Sequence, residues 1–492
     1  MVSFPRRIWQ LPGWIWLISI GLVSEGIYFF YFARSFPLAR YYDKPLLDLG
    51  KITAYKYEAG YTFVVIFTAL FVLYYTAYRL ARRMRSTSFD VVLLFGALFS
   101  VTLIWVYPVG AADVFDYISL ARILAVYDAN PFIKAPADFP GDAFLPYVAW
   151  KHAPAPYGPL WAWLSAAVTF VAGNSLFPNL VAFKLLTIAF YLASALMISA
   201  ILGDLAPHLR LGGTILFAWN PLVVYEVSVN AHNDIVMVFL LLTAVFLLQR
   251  DRKKLSITFL TLSYLVKYLT AALLPVFVVT MAKRTGGYRQ RLGFLAATAL
   301  IVIGITGLMY APFWSGLDTL GISRKEAMFT ASLPTLALII TEPWVGSEMA
   351  YPVISRVAAV ALTTFAIAAA SRAGPRTLDA IRLGYQVLFF YLLFLCLWFQ
   401  PWYLIWLVAL AALVGTMDIA HRTVLFCYTA IMSYFVFVFY WIWNAQSLDW
   451  SAIQQLAIVV IYPLPIAYTV YALLRVRLTR QVVESHNVQE AD

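Results

Sequence analysis

Residues 61–108 read YTFVVIFTALFVLYYTAYRLARRMRSTSFDVVLLFGALFSVTLIWVYP, and this stretch decides the fold class. It holds two apolar runs, Tyr61 to Tyr78 and Val91 to Pro108. Each is close to the roughly 20 residues a helix needs to cross a hydrocarbon core. Inside lipid a helix satisfies its own backbone donors and acceptors, so apolar runs of this length fold as spanning helices. Arg79, Arg82, Arg83 and Arg85 crowd the connector between them. Basic residues in short connectors stay on the cytoplasmic side, so the chain leaves the membrane on the outer side after Pro108.

The same reading extends in both directions. Upstream, Arg6 and Arg7 precede an apolar run from Trp14 to Phe32. No small-residue cleavage site closes that run, so it reads as a retained first helix with a cytoplasmic N-terminus. Downstream, apolar runs occur at Val181–Leu202, Gly213–Val229, Ile235–Leu248, Leu255–Met281, Leu292–Tyr310, Tyr351–Ala370, Leu383–Trp398, Trp402–Gly415, Val424–Trp441 and Ile453–Leu474. Basic clusters at Arg250–Lys254, Lys283–Arg291, Arg372–Arg382 and Arg475–Arg480 mark cytoplasmic ends. Leu255–Met281 is flanked by such clusters on both sides yet is short for two full crossings. It is expected to form two short helices meeting deep in the membrane, with Lys267 near the turn. Leu160–Val171 must dip in and return, leaving Gly173 to Pro178 outside, or every later cluster would face the wrong way. The result is an all-α, polytopic transmembrane protein with about 14 crossings and both termini in the cytoplasm. It forms one membrane domain over residues 1–480, with a polar, disordered tail at 481–492. Two outer segments, 110–160 and 311–350, are too long for turns, and long segments of this kind carry function or disorder.

Composition agrees. Of 492 residues 63% are hydrophobic and 12% charged, about half the charged share a soluble surface carries. Aromatics make up 17%, and Trp and Tyr collect where lipid meets water. The net charge of +11 sits in the connector clusters rather than on a nucleic-acid-binding face. Cys396 and Cys427 lie within apolar runs and form neither a disulfide framework nor a zinc site. No P-loop, Rossmann glycine fingerprint, HExxH or CxxC occurs, so nothing calls for a cofactor or a metal.

The chemistry-bearing residues gather at the outer side. The first outer loop reads GAADVFDYISLARILAVYDANPFIKAPADFPGDAFLPYVAWKHAPAPYGPLW from Gly110. Asp113 and Asp116 would share a helix face, with Tyr117 and Arg122 nearby. An ionised carboxylate within reach of a hydroxyl can act as a general base, although most loop carboxylates are simply solvated. Lys151 and His152 form a polar pair before a rigid turn, Pro154-Ala-Pro156-Tyr157-Gly158-Pro159. Asn220-Pro221, Glu226 and then His232-Asn233-Asp234 follow at the ends of consecutive helices. Asn233 or Asp234 suits a helix cap, and polar clusters at membrane helix ends also mark functional sites. Of the charges inside apolar runs, Lys184 is expected to snorkel to the outer interface, and Lys267 could reach a lipid phosphate. Glu25 also lies inside an apolar run.

Taken together these blocks resemble the GT-C membrane glycosyltransferases, most closely the polyprenol-phosphate-mannose-dependent α-1,6-mannosyltransferases. The resemblance rests on Asp113-Val-Phe-Asp-Tyr117 with Arg122 and Asn130-Pro131-Phe132, then Pro156-Tyr157-Gly158-Pro159-Leu160-Trp161. It continues through Asn220-Pro221 to His232-Asn233-Asp234, with Lys267-Tyr268 and Gln400-Pro401-Trp402-Tyr403 as weaker echoes. It implies inverting transfer of a hexose, mannose first, from a polyprenyl-phosphate donor to a glycan or glycolipid acceptor at the outer face of the plasma membrane. The family's base is an outer-loop Asp; Asp113 matches that position best and Asp116 second. Tyr117, Arg122, Lys151, His152, Tyr157, His232, Asn233, Asp234 and Lys267 would shape the phosphate and sugar site. The rival reading is a transporter or flippase of a lipid-linked substrate. Transporters often carry two related halves with matching broken helices, and no such symmetry is visible.

Overall fold

The computed structural model describes residues 12–84, 89–320 and 328–489, with side chains to residue 476. Arg6, Arg7 and Arg85 therefore lie outside the described residues. Among those described, the regular elements are all helices, and the β-pairing consists of two isolated bridges, Pro37 to Val106 and Thr330 to Trp398.

Eight helices are long and apolar enough to cross a membrane, from Gly13–Ala33 to Trp450–Val476. They carry exposed apolar side chains along their lengths, among them Leu22, Val65, Leu300 and Val360, as a lipid-facing helix would. Six further apolar helices have only 10–17 residues. The expected count of about 14 therefore does not carry over as a count of full-length crossings.

The short helices explain where the polar residues sit. The run from Gly213 to Val229 is broken at its middle. Arg210–Ala218 stops, Asn220 turns its side chain onto the Leu222 and Val223 amides, and Pro221 opens Pro221–Ser228. Proline has no amide to lose at the first helical position, so Asn-Pro is a natural restart signal. Asp234–Gln249 follows after a five-residue gap that holds His232 and Asn233. Lys253–Tyr264 and Leu274–Lys283 then form the expected hairpin, joined through Lys267 and a 3-10 turn at Tyr268–Leu273. Its two open ends meet, because Lys253 Nζ binds the Arg284 carbonyl and the Thr285 hydroxyl.

The Pro159–Ala172 helix packs along Asp113–Ala125, and both its ends return to that helix. Tyr157 before it reaches Asp113, and Asn174 after it reaches Arg122.

Three expectations are corrected. Lys184 does not snorkel: it is fully buried, and its ammonium binds the carbonyls of Leu103, Val106 and Ser228. Phe89–Leu103 and Pro221–Ser228 both end there, so the cation caps carbonyls that helix ends leave without partners. The segment 311–350 is not an open loop, for it contains the apolar helix Leu333–Val345, capped by Ser332. The last helix, Pro463–Gln489, runs through most of the stretch read as a disordered tail.

Candidate active site

Four breaks in helices converge at one end of the molecule: 229–233, 265–267, 396–403 and the loop 126–158. Irregular backbone at membrane depth is stable only where other groups satisfy it. The breaks do this for one another. Gly158 and Leu160 donate their amides to the Val266 and Leu265 carbonyls, and the His232 amide binds the Glu226 carbonyl. Thr330 pairs with Leu397 and Phe399 across a short bridge.

Gly158 is essential to this closure. A Cβ there would overlap the backbone carbonyl of Leu265, which is already a hydrogen-bond acceptor and cannot swing away. Gly158→Ala is expected to destabilise the protein by about 1–3 kcal/mol, the usual range for overpacking. Gly141, whose Cβ would meet open space, is the control, and Gly141→Ala should leave the thermal midpoint unchanged.

Asp113 opens the Asp113–Ala125 helix and is half-buried. Its Oδ1 accepts a hydrogen bond from Tyr157 at 3.3 Å. Across the site lies Lys267, whose ammonium is 2.6 Å from Asp234 Oδ2. Trp406 Nε1 binds the other oxygen of Asp234, also at 2.6 Å. The same ammonium faces the rings of Tyr157, Tyr403 and Trp406, 5.4, 5.1 and 5.9 Å from their centroids. Asp234 is fully buried while Lys267 keeps 12% of its side chain exposed. A cation held by one carboxylate and three π faces can turn to a second anion without being left unpaired.

Tyr117 packs edge-on against Tyr157 and Trp161. Its hydroxyl lies 3.5 Å from both His232 Nδ1 and Asn233 Oδ1. His232 lies flat on Trp402, ring centroids 3.9 Å apart.

The two loop carboxylates, expected on one face, diverge. Asp116 is buried and accepts the backbone amides of Ala149 and Trp150 through one oxygen, at 3.1 and 3.0 Å. Burial, with Asp113 adding to it, pushes its carboxyl up to about 7 against those two hydrogen bonds. Asp116 thus ties the loop's return segment to the helix. Arg122 is also engaged elsewhere. It pairs with Asp142 at 2.8 Å, binds Asn174 and lies over the Phe144 ring. Lys151 offers only its carbonyl, to the Ala137 amide, and His152 is exposed. The structure therefore brings together Asp113, Tyr117, Tyr157, His232, Asn233, Asp234 and Lys267, and leaves Arg122, Lys151, His152 and Asp116 around them.

Trp406 escaped the sequence reading. It lies in a run that looks like plain apolar helix, and only the Gln400-Pro401-Trp402-Tyr403 break just before it hinted at a polar neighbour. No group of three or more His, Cys, Asp or Glu side chains suited to a metal occurs among the described residues.

A family model described as "Alpha-(1->6)-mannopyranosyltransferase, N-terminal domain" matches residues 34–283, which include every converging residue named above except the aromatics at 402–406. The chain is 29% identical over 238 residues to the alpha-(1->6)-mannopyranosyltransferase A of Mycobacterium tuberculosis, covering 45% of each protein. It is 27% identical over 197 residues to the protein of the same name from Corynebacterium glutamicum, covering 40% of this chain and 39% of that one. The match thus spans less than half the length of these relatives. No solved structure matches.

Proposed function

Because this chain belongs to the alpha-(1->6)-mannopyranosyltransferase family, we propose that it transfers mannose from a polyprenyl-phosphate donor to a glycan or glycolipid acceptor. The site opens on the extracytoplasmic face of the plasma membrane, opposite the basic clusters. The acceptor hydroxyl attacks the anomeric carbon from the face opposite the phosphate. Its proton passes to Asp113, the bond from carbon to phosphate oxygen breaks, and the phosphate leaves with the electron pair. Configuration inverts, and the step as written requires neither a metal nor a soluble nucleotide.

One observation carries this reading: a single tyrosine, Tyr157, touches both a half-buried carboxylate, Asp113, and a cation, Lys267, that is paired with a buried carboxylate. In this mechanism Lys267 turns from Asp234 toward the phosphate and stabilises the charge that grows on it as the bond breaks, where preorganised electrostatics matter most. Tyr157 connects the two halves, donating to Asp113 and presenting its ring to Lys267. Beside Tyr157, a small and mostly apolar pocket is lined by Leu120, Pro131, Trp161, Ala162 and Ser165. The loop residues Asp116, Arg122, Lys151 and His152 are assigned to holding or bordering the acceptor side.

The test is transfer by purified protein in detergent. Polyprenyl-phosphate mannose, polyprenyl-phosphate glucose and GDP-mannose serve as donors, and a short α-mannoside as acceptor. Mannose transfer from the first donor, with product of inverted configuration, is the expected result. Transfer from GDP-mannose, or from no polyprenyl donor, would overturn the proposal.

A further inference from the structure

Beneath Asp113, on the side away from the loop, lies a buried cluster that transfer does not use directly. Its centre is Glu226, fully buried on Pro221–Ser228. Tyr434 donates to Oε1 at 2.9 Å and Asn230 to Oε2 at 2.8 Å. Asn230 in turn accepts the Gly110 amide, at the point where the chain enters the outer loop. His232 Nε2 stands 3.2 Å from Oε2, near enough to pair though not aligned as a hydrogen bond. From His232 the contacts lead upward: Nδ1 faces the Tyr117 hydroxyl, Tyr117 meets Tyr157, and Tyr157 donates to Asp113.

A buried carboxylate is costly even when paired, and an ionisable group at membrane depth calls for a role. Packing alone does not explain this one, since an apolar side chain of similar size would fill the space. We infer that Glu226 is a positioning residue that acts through His232, Tyr117 and Tyr157 to aim the Asp113 carboxylate. This rests on Asp113 being the base. With Nε2 3.2 Å from Glu226 Oε2 and Nδ1 3.5 Å from the Tyr117 hydroxyl, the imidazole stands between the buried carboxylate and Tyr117. Stacking on Trp402 prevents the ring from flipping. Tyr117 is then fixed against Tyr157, one oxygen of Asp113 is held by Tyr157, and the other faces the acceptor hydroxyl. An error of about 1 Å in that aim would cost on the order of 10²-fold in rate.

The experiment compares steady-state kinetics and thermal midpoints of Glu226→Gln, Glu226→Asp, Tyr434→Phe, His232→Gln and the double variant Glu226→Gln/His232→Gln. Glu226→Gln is expected to lower kcat about tenfold or more with both KM values unchanged. Glu226→Asp should recover part of the loss. Tyr434→Phe, which keeps the shape and removes one donor, should lower kcat by less. The double variant should be no slower than the worse single one, as for residues acting in series. A fall in the midpoint with kcat per folded molecule unchanged would overturn the inference, as would fully multiplicative losses in the double variant. Wild-type protein that transfers from no polyprenyl donor would remove the reading of Asp113 and this inference with it. Active wild type with an equally active Glu226→Gln would remove this inference alone.

Discussion

Asp113→Asn is expected to reduce mannosyl transfer by about 10²-fold or more, the usual contribution of a general base, while donor binding survives. Asn keeps the oxygen that accepts from Tyr157, so the site should keep its shape and lose only the capacity to take a proton. Asp116→Asn should behave differently. The Asn oxygen can still accept the Ala149 and Trp150 amides, and activity should fall less than about tenfold. Stability adds a second signature. The Asp116 carboxyl rises in the fold from 3.8 to about 7, so the folded state holds a proton that the unfolded chain releases. Its contribution therefore favours the fold at low pH and is lost as pH rises through that window. Asp116→Asn should remove this part of the pH dependence of the thermal midpoint between about pH 4 and 7. A large activity loss in Asp116→Asn with little in Asp113→Asn would reverse the assignment.

Lys267→Met should reduce transfer by about 10²-fold or more, the scale of removing one preorganised charge from a transition state. It also leaves Asp234 buried without its cation, and breaking a buried pair costs about 3–5 kcal/mol. Stability and catalysis would then be confounded. The double change Lys267→Met/Asp234→Asn separates them, because Asn still accepts from Trp406 and no charge is left alone. Thermal stability should return toward wild type while transfer stays low. If the double variant regains activity along with stability, Lys267 serves the fold and not the phosphate.

Much of this architecture was legible in the sequence, for identifiable reasons. Basic residues on both flanks of Leu255–Met281 forced a hairpin before any contact was known, because charge cannot be left on the wrong side. The same argument predicted that Leu160–Val171 turns back. The breaks at Asn220-Pro221 and Gln400-Pro401 carried their own punctuation. What escaped the sequence depends on contacts between distant segments. Spacing puts Asp113 and Asp116 on one face, but the amides at 149 and 150 turn Asp116 aside. Arg122 looked available until Asp142 and Asn174 were seen to hold it. Lys184 reads as a snorkelling residue, because nothing local shows that two helix ends present carbonyls to it.

The bond between Asp234 and Trp406 joins residues 172 positions apart, and it bears on how this protein is made. Residues 34–283 match a family domain, yet Asp234 and His232 within them lean on Trp406 and Trp402 beyond them. The matched region is thus a unit of descent and not a unit of folding. Cut at its boundary, it would leave a carboxylate without a donor and an imidazole without its stacking partner. Asp234 and His232 therefore gain these two partners only after the C-terminal helices have been synthesised and inserted.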